Sequence, residues 1–346
     1  MIKTAIIGAG LWGNAHAEVY RAHKDAECVA VCDLDGSRAA EFASRHGIDR
    51  FFTDYNEMLA ESDFEAVSIV TPDHLHAGAA VACANAGKHL LIEKPIATTK
   101  EDAKSIVRAV RANKVRATVD LHNRWSPPFY EAKRAARAGE LGELQHAYFR
   151  LNDVKRVATG MLGWAAESSI LWFLGSHSLD TLRWIFGSEV QRVYSVSRSG
   201  VLESLGIGAP DTYLTTLEFE CGAAAQMENS WITPNGNPNV NDIKFNLTGS
   251  AGMVSIDASS HNLIQRFTDN RFDTPDVLVK NSVHGKLTGF AYESIKSFVD
   301  CLVSGDEFIV TLEDAASTTL ALLAVMESAN RREPVGVLRL DELMKE

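Results

Sequence analysis

Near its N-terminus the chain reads Gly8-Ala9-Gly10-Leu11-Trp12-Gly13, a G-x-G-x-x-G sequence that alone would be a weak signal. Its surroundings make it constraining. The apolar run Thr4-Ala5-Ile6-Ile7 reads as a strand leading into Gly8, and Leu11 to Ala22 reads as a helix. Strand, glycine turn and helix in that order let the backbone approach a pyrophosphate and turn the unpaired N–H groups of the helix start toward it. Such a unit needs an acidic residue at the end of its second strand to accept hydrogen bonds from the adenine ribose. Asp33 follows the apolar run Cys28 to Cys32, 20 residues after Gly13. A carboxylate there repels a 2′-phosphate, so NAD is favoured over NADP, with Ser37 and Arg38 as the residues that could hold such a phosphate. Gly8, Gly10, Leu11, Trp12, Gly13 and Asp33 are the expected dinucleotide contacts.

The rest of the first third repeats the pattern. Short apolar runs at Ala66 to Val70, His89 to Ile92 and Ala117 to Asp120 alternate with helical stretches at Ser37 to Arg45, His74 to Ala86 and Lys100 to Arg111. Continuous apolar strands alternating with helices predict a doubly wound parallel sheet, an α/β Rossmann domain over 1–124. Beyond Trp125 the rhythm changes. Ser126 as N-cap and Pro127 in the first turn open a helix running to Gly139. Strand-like runs then dominate: Gln145 to Leu151, Val190 to Ser197, Thr212 to Glu220, Ala223 to Ile232, Ile243 to Leu247 and Met253 to Ile256, with a loop at Asn235 to Pro238. They predict an α+β second domain over 125–346 with an open, mainly antiparallel sheet. Helices at Tyr292 to Val303 and Leu312 to Asn330 follow, the last expected to pack back on the first domain.

A length of 346 residues suits two such domains at roughly 150 residues each. With 34 Lys and Arg against 45 Asp and Glu, the net charge of −11 argues against nucleic acid or an anionic membrane as partner. Five cysteines with no C-x-x-C pair, no run of 18 apolar residues and no signal-peptide pattern at the N-terminus point to a reducing cytoplasm.

Glu93-Lys94-Pro95 comes directly after the strand His89 to Ile92, at the end where doubly wound folds bind ligands. Neighbouring strand residues face opposite ways, so Glu93 and Lys94 are not expected to address one ligand. A Lys in that position can take the proton of an alcohol if its surroundings lower its pKa. His74 and His76 form H-x-H, but no third ligand stands at metal spacing, so no metal is expected. His122-Asn123-Arg124-Trp125 and the stretch from Arg150 to Arg156 complete the candidates. Arg suits bidentate recognition of an anionic group and Trp suits stacking on a sugar face. Lys155 and Arg156 can equally be interdomain ion pairs, and Trp164 and Trp172 either core or sugar platform.

Taken in order, these segments resemble the Gfo/Idh/MocA family of NAD(P)-dependent oxidoreductases, the group of glucose-fructose oxidoreductase and inositol dehydrogenase. The resemblance runs from Gly8 to His16 and Val31-Cys32-Asp33 through Thr71-Pro72-Asp73-His74-Leu75-His76, Ala86 to His89 and Glu93-Lys94-Pro95 to Gly175-Ser176-His177-Ser178-Leu179-Asp180. It implies a sugar or polyol substrate and a homodimer or homotetramer assembled through the second domain's sheet. It also implies that Thr71, Pro72, His76, Glu93 and Lys94 line the nicotinamide side and that Lys94 and His177 meet the substrate as catalytic residues. One position departs. The family's D-x-x-x-H places a carboxylate four residues before the His, where this chain has Phe173, which neither accepts a hydrogen bond nor a proton. Three readings follow: an NAD-dependent dehydrogenase of a secondary hydroxyl, a glycosidase working by transient ring oxidation, and a non-catalytic dinucleotide sensor.

Overall fold

In the computed structural model, residues 1–259 and 263–345 are described. The chain divides into two units, one of Met1–His122 and Val279–Thr319, the other of Asn123–Leu278 and Leu320–Glu346.

The first unit is built from β1 (Ile2–Ile7), α1 (Leu11–Ala22), β2 (Ala26–Cys32), α2 (Gly36–His46), β3 (Arg50–Phe52), α3 (Tyr55–Glu61), β4 (Ala66–Ile69), α4 (His76–Asn85), β5 (His89–Ile92), α5 (Lys100–Asn113) and β6 (Ala117–Val119). Its six strands are all parallel, in the order β3-β2-β1-β4-β5-β6. That is the doubly wound order, with the chain reversing direction beside β1. Strands β4 and β5 are buried almost throughout, which explains their unbroken apolar sequences. Helix starts use side-chain caps where the sequence offers them: Asp35 accepts from the N–H groups of Ser37 and Arg38, and Thr99 from that of Asp102. Sequence reading missed β3 and α3, since β3 is three residues long and mostly exposed.

The second unit opens with α6 (Pro127–Arg137). Ser126 precedes it but makes no side-chain capping bond, because Pro127 and Pro128 leave its oxygen few N–H groups to accept from. Next come β7 (Leu144–Asp153), α7 (Ser176–Phe186), β8 (Val190–Arg198), β9 (Thr212–Phe219), β10 (Ala224–Ser230), β11 (Asn241–Gly249) and β12 (Met253–Asp257). Two small hairpins, β13 (Arg266–Thr268) with β14 (Arg271–Asp273) and β15 (Asn281–Val283) with β16 (Lys286–Thr288), lead to α8 (Phe290–Ser304), α9 (Leu312–Arg331) and β17 (Val335–Gly336). The larger sheet runs β12-β11-β7-β10-β9-β8-β17, antiparallel except for the β7–β10 pair. Its core joins Phe129, Phe149, Phe245 and Trp231 to α7 through Leu179 and Leu182.

Residues 279–319 group with the first unit, although the sequence reading placed the whole chain after 124 in the second domain. The cause lies in α8. Its Tyr292, Ile295, Phe298 and Val299 share a core with Ile6, Val19 and Tyr20 of the first unit. Tyr292 Oη also donates to Glu18 across 2.6 Å.

Candidate active site

The glycine turn fits a dinucleotide. Gly8 has φ of +112°, and a Cβ there would run into the Val70 carbonyl, while one on Gly13 would strike the Gly8 carbonyl. Gly10 has nothing within 4 Å of where its Cβ would stand, which leaves open space at the start of α1. The Trp12 indole N–H, buried beside that space, has no hydrogen-bond partner among the described residues. Leu11 is exposed.

Asp33 is held by this turn, its Oδ2 accepting from Ala9 N at 2.9 Å and its Oδ1 from Asp35 N at 3.0 Å. Arg38 turns its guanidinium to Asp33 at 3.4 Å and Asp35 at 3.3 Å. Both carboxylates thus occupy the one cation the sequence offered for a 2′-phosphate. Asp33→Ala should weaken NAD about tenfold, the worth of a charge-assisted hydrogen bond near 1.5 kcal/mol, and NADP less, since Arg38 is freed. Fluorescence titration with both cofactors checks this, and equal losses would remove Asp33 from ribose recognition.

At the C-terminal ends of β5 and β6 the first unit buries a polar cluster. Asp120 N donates to Ile92 O at 2.9 Å, which sets Asp120 beside Glu93 on the neighbouring strand. His16, from α1, lies between Ser68 and Glu93: Nδ1 is 2.9 Å from Ser68 Oγ and Nε2 is 3.1 Å from Glu93 Oε1. Tyr20 Oη meets the same Ser68 hydroxyl. Asp120 accepts from Ser294 Oγ of α8, and His122 Nδ1 is 3.5 Å from Asp120 Oδ2. Burial lowers His16 to about 4, so its ring is neutral near pH 7. Burial first, then the Asp120 carboxylate, raises Glu93 well above the usual carboxyl range. Burial would also raise Asp120, but His122, His16 and Ser294 hold it at about 2. Ligating atoms of His16, Glu93 and Asp120 lie within 4.8 Å of one another. His16 Nε2 and Glu93 Oε1 in that set are 3.1 Å apart, within hydrogen-bond distance.

Lys94 is half-buried next to this cluster, its N–H 3.3 Å from Glu93 Oε2. Glu93 therefore faces inward to His16, as strand alternation requires. Its carboxyl thereby joins the end of β5 to α1 through His16. His76 is buried too, with Nδ1 2.7 Å from Pro95 O and Nε2 3.0 Å from Thr71 O, so a neutral ring donates to one of the two carbonyls and stands against the other. It ties the half-buried Thr71-Pro72 turn to the segment after Lys94. His122 packs between Trp12, at 5.8 Å, and Phe290, at 5.5 Å, and Lys280 Nζ stands 5.3 Å from the Trp12 ring centroid.

The second unit holds the other candidates. Arg124 is not available to an anionic substrate. It is buried and paired with Asp180 by Nε–Oδ2 at 3.0 Å and Nη2–Oδ1 at 2.6 Å. Buried Asn123 likewise donates to Thr181 Oγ1 at 3.2 Å, so both residues brace α7, which carries His177. Trp172 is a core residue at 4% exposure, so it offers no sugar platform. Trp125 and Trp164 stay partly exposed. Lys155 is half-buried and Arg156 exposed, and neither has an ion-pair partner among the described residues. Phe173 lies in a π-helical turn, Leu171–Gly175, just before buried His177. Spacing counted on a regular α-helix therefore does not carry across to His177 unchanged. Phe173 meets Trp164 at 6.3 Å and Trp231 at 6.1 Å. Sequence reading did not single out Asp120, Ser294, Phe290, Lys280 or Trp231 as site residues. A buried carboxylate closing an apolar strand could have flagged Asp120; the other four carry no local signal.

Parallel sheet, glycine cradle and the Asp33 carboxylate at the end of β2 define a dinucleotide-binding domain of the Rossmann class. Residues 2–121 match the pattern described as the oxidoreductase family's NAD-binding Rossmann fold, and residues 129–255 match the GFO/IDH/MocA C-terminal domain. Inositol 2-dehydrogenase 2 of Saccharopolyspora erythraea is 30% identical over 259 residues, 74% of this chain and 73% of that protein. The scyllo-inositol 2-dehydrogenase (NAD(+)) of Bacillus subtilis is 27% identical over 96% of each chain. A scyllo-inositol dehydrogenase from Lactobacillus casei, solved with NAD(H) and scyllo-inositol, shares the fold with a TM-score of 0.82 at 20% identity, covering 97% of this chain and 99% of that one. The chain belongs to the GFO/IDH/MocA family of oxidoreductases. No helix among the described residues is long and apolar enough to cross a membrane.

Proposed function

We propose that the protein oxidises a secondary hydroxyl of a sugar, polyol or sugar derivative, with Lys94 and His177 meeting the substrate. One observation carries this reading: Lys94 leaves the C-terminal end of β5, the ligand-binding end of an NAD-binding sheet, on a buried polar base of Glu93, His16 and Asp120. Bound NAD supplies the hydride acceptor. Lys94 takes the hydroxyl proton, and His177 hydrogen-bonds the same or a neighbouring oxygen. Phe173 offers an aromatic wall with Trp164 where the family places a carboxylate, which suits the apolar face of a ring. The unpaired cations of Lys155 and Arg156 support a substrate with an anionic substituent. Relatives named for inositol support a cyclic polyol. We also assign assembly into a homodimer or homotetramer to the larger sheet, where Tyr194, Val196 and Leu214 are exposed.

The test is NADH formation from NAD with myo-inositol, scyllo-inositol, their neutral sugar counterparts and a uronic acid, beside a nitrophenyl glycoside. NADH accumulation with at least one polyol or sugar is expected. Nitrophenol release without NADH would replace this reading by redox-neutral glycoside cleavage, and inertness toward the whole panel would leave a dinucleotide sensor.

A further inference from the structure

Trp12, inside the glycine motif, has on its ring a cation from a distant part of the sequence. We propose that Lys280 is a cofactor-binding residue whose ammonium pairs with a phosphate of the dinucleotide, so that the segment entering the β15–β16 hairpin belongs to the cofactor site. The inference concerns binding of the dinucleotide alone and does not depend on which hydroxyl is oxidised.

The Lys280 backbone is anchored on both sides. Before it, the Val279 carbonyl accepts from Ala291 N in the first turn of α8 at 3.0 Å. After it, Asn281 begins β15 and pairs with Thr288 of β16, whose Leu287 packs on the same core as Trp12. From that position the half-buried side chain reaches the indole, with Nζ 5.3 Å from the ring centroid. The ring is braced in turn, standing 5.8 Å from His122, which stands 5.5 Å from Phe290. No hydrogen bond or ion pair joins the Lys280 ammonium to another side chain among the described residues.

Electrostatics give this placement its meaning. Trp12 is the second residue of α1, whose N-cap Gly10 has no side chain to cap the helix and whose first turn holds no acidic residue. Neither a cap nor a carboxylate in that turn therefore offsets the positive end of the helix dipole. A second positive charge set on the ring of Trp12 is unfavourable there until an anion joins it, and the diphosphate of a dinucleotide is the anion that such a helix start receives. The face of an indole holds an ammonium weakly compared with a charged phosphate oxygen, for which Lys serves as a point charge. Arg38 does not fill this role, because its guanidinium lies against Asp33 and Asp35. Lys280 is invisible to motif reading, since only the packing of α8 and the hairpin against α1 brings it to the glycine turn.

The experiment measures binding, without turnover, of NAD, ADP-ribose and adenosine to wild type, K280M, K280Q and K280R. Calorimetry serves for the first two ligands and ligand-observed NMR for adenosine. NAD and ADP-ribose contain both phosphates, and adenosine contains none. K280M keeps an apolar stem over Trp12 and removes the charge. It should weaken NAD and ADP-ribose about tenfold, the scale of one charge-assisted hydrogen bond, and leave adenosine within about twofold. K280Q should match K280M, whereas K280R, which keeps the charge, should stay within about threefold of wild type. Raising NaCl from about 0.05 M to about 0.5 M should weaken NAD binding more in wild type than in K280M, because salt screens a pair that the variant lacks. Wild-type affinity of K280M and K280Q for NAD and ADP-ribose overturns the proposal. An equal loss for all three ligands does so too, since it assigns Lys280 to the packing of Trp12, as does a K280R protein as weak as K280M.

Discussion

Lys94→Ala is expected to cut turnover of any accepted polyol by about 10²–10⁴-fold, the range of a lost acid–base group. NADH affinity should change only a few-fold, since the expected dinucleotide contacts at the glycine turn and Asp33 are left untouched. Lys94→Arg separates two ways of losing that rate. A guanidinium keeps the positive charge but does not deprotonate in proteins, so it can attract an oxygen and cannot take its proton. If Lys94 acts by proton transfer, Arg is nearly as slow as Ala; if it acts as a fixed charge, Arg recovers most of the rate. Burial of the base beneath Lys94 sharpens the contrast. Burial and the Asp120 carboxylate push the Glu93 carboxyl well above its usual range, and Asp120 holds its charge among His122, His16 and Ser294. The carboxyl nearest Lys94 in sequence is therefore a weaker counter-charge than an ordinary carboxylate. Measured kcat and NADH Kd for both variants decide the matter, and unchanged kcat in Lys94→Ala would end the catalytic reading.

How much of this was legible from sequence depends on where each signal resides. The alternation of strands and helices in the first unit, β3 and α3 apart, follows from local patterns: apolar runs of four or five residues, glycine at the first turn, and an acidic residue just after β2. Those signals are encoded within a few residues of the structure they specify. The base under Lys94 is different. His16, Ser68, Glu93, Asp120 and Ser294 come from five elements, and each alone reads as an ordinary polar residue. Only the parallel register, with Asp120 N bonded to Ile92 O, brings the last two strands' end residues together. α8 was legible as a helix but not as a part of the first unit, because its amphipathic pattern says that it packs and not on what. Arg124 erred in the opposite direction. Its residue type suggested anion recognition, and its anion turned out to be Asp180 of the same chain.

That pair carries the largest stability effect. Asp180→Ala should destabilise the second unit by about 3–5 kcal/mol, the cost of leaving one buried charge without its partner. The Arg124 side chain is 5% exposed and that of Asp180 1%, so water cannot replace the lost carboxylate without opening the fold. Arg183 does not compensate. It lies 4.0 Å from the same carboxylate and is otherwise committed to Glu189 at 2.6 Å, so the variant would leave two neighbouring guanidinium groups sharing one acid. Asp180→Asn, which keeps one acceptor and the side chain's shape, should cost less than Ala. Replacing both members, Arg124→Met with Asp180→Leu, should recover much of the loss, since apolar isosteres remove both desolvation penalties together. Urea unfolding followed by tryptophan fluorescence reads the difference, because fully buried Trp231 and core Trp172 report on this unit. A midpoint for Asp180→Ala equal to wild type would mean that Arg124 reaches solvent after all, and would return it to the residues available for an anionic substrate.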